Sequence, residues 1–162
     1  MRHFKIGFAV LVLVIALLAM TVATGAAKKK SGSGNGSAKA VATALSGKNE
    51  IDPATGKKRA GDLDGYGAFA ATIRNDELCY GLTAGGIETP TAAHIHAAKR
   101  NKNGPIVVTL DHPATSPGAS SDCATLDPSL LAAIAKHPKR YYVNVHNGPF
   151  PNGAIRGQLG PG

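Results

Sequence analysis

Three histidines carry the most chemistry in this chain. His94 and His96 are separated by one residue in "TAAHIHAA", and His146 closes "YYVNVH" some fifty residues later. Side chains one residue apart on a strand point to the same face, so His94 and His96 share a face opposite Ile95. In the second run Val143 and Val145 share one face, while Asn144 and His146 take the other. Both runs place histidine away from their β-branched residues. If the two strands are neighbours, three imidazoles converge, which suits a copper or zinc ion with one coordination position left open. The same phase in "AIRGQL" sets Ile155, Gly157 and Leu159 on one face and Arg156 and Gln158 on the other, with Arg156 beside the histidines. Outward histidines also serve as hydrogen-bonding groups that fix loops to strands, and the sequence leaves that alternative open. His112, in "DHP", reads as a loop residue within reach of such a site. His137, at the end of a helical pattern, complements the helix dipole.

The elements that position these residues are short apolar or alternating runs separated by turn residues, which predicts a closed or sandwiched antiparallel sheet. "AVATALSG" is a first strand. "YGAFAATIR" and "LCYGLTAGG", joined through "RNDE", form an antiparallel hairpin with Phe69, Ala71 and Ile73 on one face. "TAAHIHAA", "PIVVTL", "YYVNVH" and "GAIRGQL" supply the later strands. One run breaks the pattern: "DPSLLAAIAKHP" has Asp127 as N-cap, Pro128 at the first helical position and Pro138 as terminator. It predicts a short helix near residues 128–137, with Leu130, Leu131 and Ile134 facing a sheet edge or barrel end.

The chain opens with a short basic segment, the apolar run "IGFAVLVLVIALLAM" and small residues up to Ala27. This is the pattern of a secretory signal, residues 1–27; a retained N-terminal membrane anchor is the alternative. Residues 28–39, "KKKSGSGNGSAK", have the composition of a flexible tether. Residues 40–162 then make one domain of ordinary size, and a secreted or extracytoplasmic location of bacterial type follows. Of the 18 Lys and Arg residues, Arg2, Lys5, Lys28, Lys29, Lys30 and Lys39 precede the domain, leaving 12 against 10 acids. The basic excess therefore belongs to the leader and tether, where Lys28 to Lys30 offer a weak electrostatic contact with an anionic envelope. With no Trp, few aromatics and no clustered cations expected on the domain, nucleic acid is not an expected partner. Cys79 and Cys123 form an even pair in an exported chain and are read as a disulfide. Closing so long a loop is worth about 4 kcal/mol in the chain-entropy view.

Two apparent motifs fail. "GYGAFA" lacks the strand-to-helix context of a dinucleotide fingerprint, and "DLDG" lacks the remaining ligands of a calcium loop. Gly-x-Ser-x-Gly and His-Glu-x-x-His are also absent. In "NGPFPNG" the prolines and glycines fix a loop, with Phe150 at its tip as a candidate partner contact.

Three stretches together resemble the CHRD domain, a module repeated in the secreted antagonist chordin and found singly in exported bacterial proteins. They are Ala93-His94-Ile95-His96, Asn103-Gly104-Pro105-Ile106-Val107-Val108, and Val143-Asn144-Val145-His146 followed by Pro151 to Leu159. The resemblance spans about residues 41–159 and implies an all-β domain with no agreed activity. That family usually carries an acidic residue where Ala154 stands here. A weaker similarity points to copper/zinc superoxide dismutases, which are Greek-key β-barrels. It would make His94, His96 and His146 copper ligands and Arg156 an anion guide, although a histidine-rich zinc loop is missing. The expectation is therefore an all-β, antiparallel Greek-key sandwich or barrel with one short helix. Functionally it would be a binding or structural module for an unknown protein or envelope partner, with a copper or zinc site on the three histidines. A superoxide dismutase-like redox enzyme or copper-handling protein is the alternative.

Overall fold

The computed structural model describes residues 37–162. The expected signal segment and most of the tether lie outside the described residues. Nine strands follow in chain order: β1 (Lys39–Ser46), β2 (Tyr66–Arg74), β3 (Glu77–Gly85), β4 (Pro90–Ala97), β5 (Ile106–Leu110), β6 (Gly118–Thr125), β7 (Tyr141–Asn147), β8 (Ile155–Gln158) and β9 (Gly160–Pro161). Among the described residues a single α-helix, α1 (Pro128–Lys136), joins β6 to β7 through a short 3-10 turn. The sheet order is β5, β4, β7, β8, β1, β2, β3, β6, with β9 beside β1, and the strand pairs are antiparallel.

The two ends of this sheet curl towards each other. Asp111, the residue after β5, donates its N–H to the Tyr80 hydroxyl at 2.7 Å and accepts from Ser120 Oγ at 2.6 Å. Tyr80 lies on β3 and Ser120 on β6, so these bonds bring the β5 end to the opposite edge and make the sheet a nearly closed barrel.

The inner face follows the period-two pattern of the sequence. Phe69, Ala71 and Ile73 of β2, Leu78 and Leu82 of β3, Ile95 of β4, Val143 and Val145 of β7 and Ile155 of β8 are all buried. The predicted hairpin forms over the expected residues, with Arg74 paired to Glu77 and Asn75 at φ 55° in the turn. Asn tolerates this left-handed conformation better than most residues, which is why it serves there. Asp127 caps α1, accepting from the N–H groups of Ser129 at 2.8 Å and Leu130 at 3.0 Å. Leu131 and Ile134 are sealed against the core, and Leu130 packs at its margin.

Two strands are absent from the sequence reading, the two-residue β9 and the longer β6. β6, "GASSDCAT", is rich in small and polar residues and mostly exposed, so it shows no apolar alternation. What defines it is pairing with β3 along its whole length, from Glu77 opposite Thr125 to Ala84 opposite Gly118. Cys79 and Cys123 are direct cross-strand partners and form the expected disulfide, with Cα atoms 3.9 Å apart. Among the described residues, no helix is long and apolar enough to cross a membrane.

Candidate metal centre

β4, β7 and β8 are adjacent, and their register places the polar residues together. His94 is opposite Asn144 and His96 opposite Tyr142 across the first pair, and Asn144 is opposite Arg156 across the second. Cross-strand partners share a face, so the outer face of this ribbon carries His94, His96, Tyr142, Asn144, His146, Arg156 and Gln158. The side-chain phase read from the sequence holds throughout.

His94, His96 and His146 each offer a ring nitrogen within 4.8 Å of the others. His146 donates Nδ1–H to the Pro151 carbonyl at 2.9 Å, leaving the Nε2 lone pair towards His94, whose Nδ1 lies 3.1 Å away. His96 donates Nδ1–H to the Gly104 carbonyl at 2.9 Å, and its Nε2 lies 3.0 Å from Asn144 Oδ1, a pairing the neutral ring makes only when the amide is rotated to present its NH2. Two of the three rings are thus fixed in tautomer and orientation by a backbone carbonyl on one nitrogen, as in metal-ligating histidines. Burial holds all three rings below the usual imidazole range. For His94, desolvation together with the neighbouring His146 and His96 pushes the pKa down to about 4. For His96 and His146 desolvation is the leading cause of the lowering, partly offset by the bonds to Gly104 and Pro151. The cluster is therefore neutral near pH 7, the state a metal ligand needs.

Behind the histidines lies a buried polar layer. The Tyr142 ring stacks parallel to His96, with centroids 4.7 Å apart, and Arg156 lies over the same ring at 3.3 Å. Arg156 is 2% exposed and donates to Asn103 Oδ1 at 2.8 Å and the Lys102 carbonyl at 2.6 Å. The guanidinium therefore ties the loop before β5 to the sheet rather than facing solvent. Asn103 completes the tie by donating to the Ile51 carbonyl at 3.0 Å.

Glu50 also belongs to this layer, although the sequence offers no signal beyond a lone acid in a long loop. It is 2% exposed, and its Oε1 has no hydrogen-bond partner. Desolvation pushes its pKa up to about 7 against the opposing pull of Arg156, the Ile51 backbone and the Asn144 side chain. A Cβ on Gly153, at φ 131°, would meet Glu50 Oε1 at 2.4 Å, so the carboxyl's seat requires glycine there.

A protein-family model, the CHRD domain, matches residues 41–159. The chain belongs to the CHRD family. No curated protein and no solved structure matches it. Within this CHRD domain the Asn103-Gly104-Pro105 stretch has a visible purpose. Asn103 holds Arg156, the Gly104 carbonyl anchors His96, and the Pro105 carbonyl accepts from Ala97 N–H at 3.0 Å. A side chain on Gly104 would strike the Ala97 carbonyl at 2.1 Å, so this close approach also demands glycine. Ala154 is fully buried, and a carboxyl lies close by from another segment: a Cβ on Gly61 would touch both the Ala154 carbonyl and Glu50 Cγ.

Other candidates are placed elsewhere. His112 is exposed, pairs with its neighbour's Pro113 carbonyl and is not part of the cluster. His137 is the C-cap of α1, as its position suggests. Phe150 is half-buried: its N–H donates to Asn147 Oδ1 and its ring packs against the core. The expectation of no clustered cations is corrected, since strand pairing brings two basic segments distant in sequence around one groove.

Proposed function

We propose that this CHRD domain is an extracytoplasmic binding module that holds one copper or zinc ion on His94, His96 and His146. The observation that carries the proposal is the convergence of three neutral imidazoles, two of them oriented through Nδ1 by backbone carbonyls. An ion between His94 and His146 would replace a hydrogen bond, with His94 moving its proton to the other ring nitrogen. His96 would exchange Asn144 for the metal. Imidazole nitrogen favours copper(II), then zinc, over calcium or magnesium. The disulfide supports an oxidising compartment. A binding module fits better than a dismutase, because Arg156 is sealed under Tyr142 and the 102–103 loop instead of standing at an open mouth.

A second reading rests on the same bonds: the histidines pin the Gly104 and Pro151 loops to the sheet without metal. Titration of copper(II) and zinc(II) into the purified protein separates the two. The metal reading predicts one equivalent bound, copper tighter than zinc, with stoichiometric binding lost in His96→Ala and His146→Ala variants that keep the wild-type circular dichroism. Because burial lowers all three rings, His94 to about 4, binding should persist below pH 6 and weaken as the pH falls further. Equal, weak binding by all three proteins would leave only the pinning role. A superoxide assay on the copper-loaded protein then tests for turnover.

A further inference from the structure

The domain is nearly neutral, yet its cations are not evenly spread. Lys99, Arg100, Lys136, Lys139 and Arg140, with His137, line one open groove of about 760 Å³, together with Ala135, Pro138 and Pro161. No acidic residue lines it. All five cationic side chains are exposed. In sequence the two groups are more than thirty residues apart. Antiparallel pairing of β4 with β7, Ala97 opposite Tyr141, sets the end of one strand beside the start of the other and brings the two groups together.

The groove is held in shape. Gln158 Nε2 lies in bonding range of the carbonyls of Ala98 at 2.9 Å, Lys139 at 3.0 Å and Tyr141 at 2.7 Å, bridging the two basic segments. Arg156 ties the Lys102 carbonyl to the same strand. The helix dipole accounts for Lys136 and His137 at the C-terminus of α1. It does not account for Lys99, Arg100, Lys139 and Arg140, whose mutual repulsion goes uncompensated by any acid in the groove.

We propose that this groove binds a linear acidic polysaccharide, with sulfate or carboxylate groups seated on the arginine and lysine side chains. This site is independent of the histidine cluster. Cations on both walls of a trough suit a chain lying along it, and arginine forks match carboxylate and sulfate oxygens. No Phe, Tyr or Trp lines the groove, so the broad stacking platform of single-stranded nucleic acid binders is missing. The exposed large apolar side chains Leu63, Tyr66 and Ile106 are not in the lining, so a bilayer finds no apolar anchor there.

The test compares the full chain with two charge-reversed variants, Lys99→Glu/Arg140→Glu in the groove and Lys57→Glu/Lys58→Glu on the exposed 52–60 loop. Both carry the same net charge, and unchanged thermal unfolding confirms that each is folded. Heparin serves as the sulfated polysaccharide probe, with a single-stranded dT oligonucleotide and phosphatidylglycerol vesicles in parallel. The proposal predicts salt-sensitive heparin binding, weakened at least about tenfold by the groove variant and less than about threefold by the loop variant. Equal losses in the two variants would reduce the effect to net charge and overturn the site. Binding of the oligonucleotide or the vesicles as tight as that of heparin would overturn the assignment to polysaccharide.

Discussion

On the inner face of β4, β7 and β8, Ile95, Val143, Val145 and Ile155 are sealed from water with no polar group to satisfy. On the outer face the same strands carry His94, His96, Asn144, His146 and Arg156, held by bonds to the Gly104, Pro151 and Lys102 carbonyls. The inner residues stabilise in proportion to the apolar area they remove from water. The outer ones exchange water for protein partners, a near-balanced trade for each bond. Stability therefore resides inside, which leaves the outer face free to carry groups chosen for chemistry.

Truncation should break the two faces unequally. Ile155→Ala is expected to cost about 2–5 kcal/mol, measured by denaturant unfolding, because it leaves a cavity in a closed core. Glu50→Gln probes the layer between the faces. Its carboxyl has a folded pKa of about 7, above the ordinary 4.5, so its contribution is fully present below pH 4.5 and is lost as pH rises through 7. Replacing it should remove that decline between pH 4.5 and 7, stabilising the variant relative to wild type by on the order of 3 kcal/mol at pH 8. The histidines act in the opposite sense. With His94 lowered to about 4 from 6.5, stability present above pH 6.5 is lost as pH falls towards 4. Stability curves of the two proteins from pH 4 to 9 should thus converge at the acid end and separate at the alkaline end. His94→Ala, the outer counterpart of Ile155→Ala, should cost only about 1 kcal/mol at pH 7, the worth of one hydrogen bond.

Much of this contrast is legible in the sequence because a strand's period of two needs no tertiary information. "HIH", "VNVH" and "IRGQ" each declare their faces, and the caps of α1 are local signals of the same kind. Other features depend on pairing across the sheet. β6 has no apolar alternation and only one β-branched residue, Thr125 at its end, so its ladder with β3 and the Cys79–Cys123 bond define it. Glu50 becomes a buried acid only when the Pro149 to Gly153 loop and Arg156 close around it. Arg156 has the right face in the sequence, but the Asn103 contact that covers it comes from a different loop. The cationic groove is likewise invisible until β4 meets β7.

The central claim is that the outer face holds a metal ion on three specific imidazoles. Pulsed electron paramagnetic resonance of the protein loaded with one equivalent of copper(II) counts coordinated imidazoles through their remote ring nitrogens. Three are predicted for wild type and two for His146→Ala where copper is retained. A wild-type spectrum identical to that of the His94→Ala/His146→Ala double variant would place the copper elsewhere and contradict the assignment.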